Sequence, residues 1–157
     1  MIYIGLLHGY LYIKQKKKRR RRGEKEEMNV KEIMSFPAIT EDEDASIAVI
    51  IKHIELSRIG GVVITKGGKP VGIIVDYDIA AKVILRDRSP DEVKAKEIMS
   101  SPLITVGSDA SVEEACGLMA GKDIRRLPVI EDGELVGIIS IRNMLTGESV
   151  HVSKYLF

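Results

Sequence analysis

Apolar residues recur along this chain in two registers that alternate. Ile47, Ile50, Ile51 and Ile54 fall at helical spacing, and so do Val112, Ala115, Cys116 and Met119, so each set predicts one apolar face of a helix, with Asp44 or Asp109 available as its cap. Each predicted helix is followed by two aliphatic runs. Val62 to Thr65 and Val71 to Val75 flank Lys66-Gly67-Gly68-Lys69, while Leu127 to Ile130 and Leu135 to Ser140 flank Glu131-Asp132-Gly133-Glu134. Gly-Gly and Asp-Gly between such runs predict tight hairpins. A second helix is expected from about Tyr77 to Leu85, with a partner from about Arg142 to Leu145. Ser89-Pro90-Asp91-Glu92 carries an N-cap, a first-turn proline and a reciprocal Glu, which predicts a linking helix.

The alternation is an internal repeat. Lys31-Glu-Ile-Met-Ser35 returns as Lys96-Glu-Ile-Met-Ser100, Pro37 as Pro102, and Ile39-Thr40 as Ile104-Thr105. Asp44-Ala-Ser46 returns as Asp109-Ala-Ser111, and Val71-Gly-Ile-Ile74 as Val136-Gly-Ile-Ile139, every pair 65 positions apart without a gap. The repeated unit is a short strand, helix, two-strand hairpin and helix. One unit is too small to bury both faces of its sheet, so the expected fold is α/β: two β-α-β-β-α repeats packed with pseudo-two-fold symmetry, sheet against sheet, leaving two related clefts. The expected boundaries are 29–88 for the first repeat and 89–157 for the second, which includes the linking helix and an apolar C-terminal tail.

Charge changes the picture only at the amino end. Residues 1–27 hold nine Lys or Arg against three Glu, a balance of +6, so with +1 overall everything from Met28 onward stands at −5. Residues 1–28 are read as a disordered basic arm or a mis-assigned start. From Lys16 to Glu27 every residue is Lys, Arg, Gly or Glu, all encodable by purine-only codons, as in a ribosome-binding region translated ahead of a true start at Met28. The apolar stretch before the basic run is too short to span a membrane and precedes its cations, unlike a secretory signal. Used as a tether, the run would suit anionic lipid or a phosphate backbone.

The remaining composition excludes several chemistries. One cysteine forms no internal disulfide, and His8, His53 and His151 have no metal-ligand spacing, so no metal site is expected and the compartment is expected to be reducing and cytoplasmic. Cys116 is expected in the core and His53 at a packed or edge position. Glu41-Asp42-Glu43-Asp44 is expected to be an exposed loop run. No phosphate-cradling Gly-rich loop with a Lys is present, so no catalytic residue is assigned and an enzyme is disfavoured.

The Glu-Ile-Met-Ser-x-Pro openings, Arg125-Arg-Leu-Pro-Val129 and the two Gly-Ile-Ile segments resemble the cystathionine-β-synthase (CBS) domain family in its tandem arrangement, the Bateman module. The resemblance covers nearly all of residues 29–146 and implies a regulatory protein that binds AMP, ADP, ATP or S-adenosylmethionine in the cleft between repeats. It requires no cofactor, and it implies a homodimer that signals to an effector protein. A ligand-free dimeric interaction module and an adaptor working through the basic arm are the competing readings.

The family's ribose-phosphate motif is similar to Gly72-Ile-Ile-Val75-Asp-Tyr-Asp78 and Gly137-Ile-Ile-Ser140-Ile-Arg-Asn143, with Val75 replacing the usual hydroxyl. Carried over, the first cleft would combine Asp78 with Thr105, Ala110, Arg125 and Arg126. The second would combine Ser140, Arg142 and Asn143 with Thr40, Ala45, Gly60 and Gly61. Two arginines make the first the expected site for an anionic nucleotide. Gly72 and Gly137 can equally serve close packing, and Asp78 and Asn143 can equally be helix caps.

Overall fold

A computed structural model describes residues 28–147. The basic arm, the tail from Lys154 to Phe157, His8 and His151 lie outside the described residues.

The first repeat runs α1 (Val30–Ile33), β1 (Thr40–Asp42), α2 (Ile47–Ser57), β2 (Gly61–Lys66), β3 (Lys69–Val75), α3 (Asp76–Lys82) and a 3-10 turn, Ile84–Arg86. The second runs α4 (Ala95–Ile98), β4 (Val106–Gly107), α5 (Val112–Lys122), β5 (Arg126–Glu131), β6 (Glu134–Ser140) and α6 (Ile141–Thr146). Each repeat forms a three-stranded sheet with its middle strand parallel to the short first strand and antiparallel to the third. Both hairpins turn through two residues of positive φ, Gly67 and Gly68 in one and Asp132 and Gly133 in the other, the backbone that matches strand twist. The register slips at Ile64/Thr65 and at Val129/Ile130, equivalent positions of the two copies.

The repeats are joined by exchange of their opening segments. Val30 and Ile33 of α1, both fully buried, pack with Leu127, Val129, Ile139, Ala115 and Met119 of the second repeat. Ala95 and Ile98 of α4 pack with Ile47, Ile50, Val62, Ile64 and Ile74 of the first. The two cores are therefore separate clusters, each completed by a helix from the other copy, and not one core shared between facing sheets. Burying one aliphatic side chain of this kind contributes roughly 1.5–3 kcal/mol, so neither sheet is complete without its borrowed helix.

Backbone bonds fix each crossing. Ser35 N–H donates to Ile138 O (2.8 Å) and Ile138 N–H to Ser35 O (2.9 Å), and Ser100 and Ile73 exchange the equivalent pair at 2.9 and 3.1 Å. Val30 N–H donates to Ala110 O and Ala95 N–H to Ala45 O, both at 2.9 Å. Two exposed ion pairs repeat the symmetry, Lys31 with Asp109 and Lys96 with Asp44. The Lys96 partner holds the Asp44 carboxyl below its ordinary range, chiefly through their hydrogen bond.

Several local expectations change. Asp44 and Asp109 are taken by those lysines, so the helices α2 and α5 start at Ser46 and Ser111; Ser111 Oγ accepts from Glu114 N–H (3.0 Å) while Glu114 Oε2 accepts from Ser111 N–H (2.8 Å). Ser89 to Glu92 form a turn, not a helix, because Pro90 O accepts from Ala48 N–H (2.9 Å) and the chain must drop into the first core at Val93. The linking helix is the short α4 instead. The second copy's first strand is Val106–Gly107, so Ile104 and Thr105 precede it. Cys116 is exposed, its Sγ 3.1 Å from Met144 Sδ, because Ala115 and Met119 fill the buried side of α5. Within the acidic run, Glu41 bonds His53 Nε2 at 2.5 Å and Glu43 pairs with Lys66 at 3.0 Å, so these two carboxylates tie β1 to its neighbours.

Candidate functional site

Two clefts open where the end of one repeat's hairpin meets the approach to the other's first strand. The first, about 460 Å³, is lined by Ile73, Val75, Asp76, Tyr77 and Asp78 from one copy and by Ser100, Pro102, Ile104, Asp123, Ile124, Arg125 and Arg126 from the other. The second, about 230 Å³, is lined by Ile138, Ser140, Arg142 and Asn143 facing Ser35, Pro37, Ala38, Ile39, Ser57, Arg58, Ile59, Gly60, Gly61 and Arg126. Ser35, Pro37, Ile39, Arg58 and Ile59 have Ser100, Pro102, Ile104, Asp123 and Ile124 as counterparts, so both clefts are cut from the same mould.

The motif residues at the helix starts are already caps. Asp78, 6% exposed, accepts from Val75 N–H at 3.0 Å through Oδ2 and pairs with Lys82 Nζ at 2.7 Å through Oδ1. Asn143, 2% exposed, accepts from Ser140 N–H and from Ser140 Oγ at 2.8 Å, and its Nδ2 donates to Ser35 Oγ at 3.1 Å. Asn143 thereby ties the start of α6 to the crossing segment of the other repeat. Any contact either residue makes to a ligand is additional to this structural duty.

Of the residues expected at the first cleft, Asp78, Arg125 and Arg126 line it and Thr105 and Ala110 do not. At the second, Ser140, Arg142, Asn143, Gly60 and Gly61 line it and Thr40 and Ala45 do not. Local structure accounts for the four that fall outside. Ala45 and Ala110 have their carbonyls engaged by the borrowed helices, Thr40 is exposed at the start of β1, and Thr105 is exposed ahead of β4. The walls are supplied one step earlier in the chain, by Ile39 and Ile104.

Charge separates the two clefts. Arg58 and Asp123, equivalent residues, end α2 and α5 in the left-handed conformation with φ of 50° and 52°, which turns one guanidinium or one carboxylate to the cleft rim. In the same correspondence Arg142 is the counterpart of Tyr77 and Asn143 of Asp78. The second cleft thus collects Arg58, Arg126 and Arg142, with no carboxylate among the described residues that line it. The first sets Arg125 and Arg126 against Asp76, Asp78 and Asp123. Counting arginines in the Arg125-Arg126 pair alone reverses this order, because Arg58 lies outside the motif and Arg126 reaches both clefts.

The second cleft also holds Ser57, 2% exposed, whose Oγ is the buried side-chain polar atom without a hydrogen-bond partner among the described residues. Sequence reading missed it and Arg58. Setting the copies side by side at 65 positions shows the Arg58/Asp123 exchange, but only the fold shows that this position faces a cleft.

A family model described as the CBS domain matches residues 30–84 and again residues 95–148. An uncharacterized protein of Methanopyrus kandleri is 39% identical over 123 residues, covering 77% of this chain and 63% of its own length. A second archaeal relative, an uncharacterized protein of Methanocaldococcus jannaschii, is 42% identical over 111 residues, covering 71% of this chain and 57% of its own. The chain thus spans about three fifths of the length of these curated relatives. Among solved structures, a CBS domain protein from Pyrobaculum aerophilum complexed with AMP superposes with a TM-score of 0.68 at 28% identity, covering 74% of this chain and 89% of that one.

Proposed function

The chain belongs to the CBS-domain family, with two copies of the domain in tandem, and from that premise we propose that it is a regulatory module whose second cleft binds an adenosine ligand carrying phosphate. One observation carries this reading: among the described residues, three guanidiniums and an unpartnered buried hydroxyl line that cleft and no carboxylate does. Guanidinium matches phosphate bidentately, and a carboxylate-free wall removes the repulsion that an anionic ligand would meet in the first cleft. The AMP-bound relative supports the same ligand class. AMP, ADP and ATP fit this charge; S-adenosylmethionine, with its sulfonium, suits the more acidic first cleft.

Binding would signal to an effector protein by favouring one arrangement of the repeats, which requires different affinities for the ligand in the two arrangements. The reading includes a homodimer, for which the exposed Tyr77, Ile84 and Leu85 around α3 supply an apolar surface. Among the described residues no helix is long and apolar enough to cross a membrane.

Calorimetric titration of the full chain, stripped of nucleotide, with adenosine, AMP, ATP and S-adenosylmethionine tests the reading. Saturable binding in which ATP exceeds adenosine by at least about tenfold is expected, one charge-assisted contact being worth that much. Equal affinity for adenosine and ATP would overturn the phosphate reading, and silence across the panel would overturn ligand binding altogether and favour the ligand-free interaction module.

Ser57→Ala separates ligand contact from packing. Deleting a buried hydroxyl with no partner removes a desolvation cost, so the ligand-free protein should gain roughly 1 kcal/mol in urea unfolding. The same change should weaken ATP binding severalfold. A structural hydroxyl would shift both quantities in the destabilising direction.

A further inference from the structure

One guanidinium stands between the two clefts. In the correspondence of the repeats Arg126 is the counterpart of Gly61 and Arg125 of Gly60. A Cβ on Gly61 would lie 3.3 Å from Arg126 Cδ, so the two equivalent positions touch. Side chains that meet their own symmetry mates sit near the pseudo-two-fold axis, and here only one of the pair has a side chain. The Arg126 guanidinium then passes over Gly60, where a Cβ would lie 1.7 Å from Nη2 and 2.4 Å from Cζ. On its other side Nη1 is 3.9 Å from Asp76 Oδ1, in the wall of the first cleft. Glycine at 60 and 61 is what leaves room for this placement.

We propose that Arg126 is a shared anion-binding side chain, available to one cleft at a time, which makes the two clefts antagonistic toward phosphate-bearing ligands. The proposal rests on the ligand reading above and adds regulation to it. A phosphate in the second cleft would draw the guanidinium over Gly60 toward Arg58 and Arg142. The first cleft would then keep Arg125 alone against Asp76 and Asp123, Asp78 being held by Lys82, a wall that repels a second anion. By linkage the effect is reciprocal: an anion held first by Arg125 and Arg126 would weaken the other cleft by the same factor.

Amide NMR titration of the full chain with ATP reads the clefts separately, the first at Val75 and Tyr77 and the second at Ser140 and Arg142. In the parent protein the second cleft should fill first. Gly60→Ala inserts a Cβ where the guanidinium lies and pushes it toward Asp76, so the second cleft should weaken about tenfold while the first strengthens. Arg126→Gln should weaken the second cleft by a similar factor, and adding Gly60→Ala to it should change neither cleft further. Changes of the same sign at both clefts in Gly60→Ala, a first cleft that gains nothing, or opposite shifts that persist without Arg126 would each overturn the proposal. A parent protein that shows no response to ATP would overturn the ligand reading and this proposal with it, whereas binding with the wrong pattern of shifts would remove only the sharing.

Discussion

Gly137→Ala is expected to destabilise the protein by about 3 kcal/mol, and Gly72→Ala, its exact counterpart in the other repeat, by about half as much. The difference lies in what each new Cβ would meet. At Gly137 the nearest atom is the Ser35 carbonyl oxygen at 2.6 Å, with Met34 Sδ at 2.9 Å. That oxygen accepts from Ile138 N–H and so belongs to the bond pair that fixes the first crossing segment. It cannot retreat without breaking the crossing that carries Val30 and Ile33 into the second core. At Gly72 the nearest atom is Met99 Sδ at 2.7 Å, the end of a flexible side chain, and the Ser100 carbonyl stands off at 3.0 Å. A thioether can change rotamer at modest cost. Urea unfolding of the two variants checks the order, and equal losses would show that the crossings yield alike.

The same crossings explain how much of the molecule was legible in the sequence. The repeat, its hairpins and both long helices follow from identities at a constant offset and from periods of two and 3.6, which are local signals. Lys31-Glu-Ile-Met-Ser35 looked like the opening of its own repeat, and by sequence it is. In space Ile33 sits with Leu127 and Ile139, and no periodicity within a segment says which copy it will pack against. The misplaced caps have the same origin. Asp44 and Asp109 are good cap residues by type, but a lysine from the other repeat claims each carboxylate and leaves the serine two positions later to start the helix. At the clefts, the motif positions Asp78, Ser140 and Asn143 could be found by resemblance. Arg58 and Ser57 could not, because they reach the second cleft from the end of α2, through a left-handed residue that has no sequence signature in arginine.

That charge asymmetry leads to the second large effect: Arg58→Ala with Arg142→Ala is expected to lower ATP affinity about a hundredfold, while Arg125→Ala changes the tightest site less than about threefold. Unlike Arg126, the third arginine of the second cleft, Arg58 and Arg142 are exposed and pair with no carboxylate among the described residues, so their guanidiniums are free to close on phosphate without first breaking an ion pair. Removing two charge-assisted contacts from one ligand should act through electrostatics, and the parent's affinity should fall with ionic strength more steeply than the double variant's. The equivalent position in the other repeat supplies the converse. Asp123→Arg places a cation where the first cleft now has a carboxylate, at a residue whose φ of 52° already matches that of Arg58 at 50°. With the backbone and the mould alike, only the charge differs, so the first cleft should gain about tenfold for ATP. Should the double variant bind ATP as the parent does, while Asp123→Arg leaves the first cleft unchanged, guanidinium content would not decide where phosphate goes, and hydrogen bonding by the motif residues would have to account for binding.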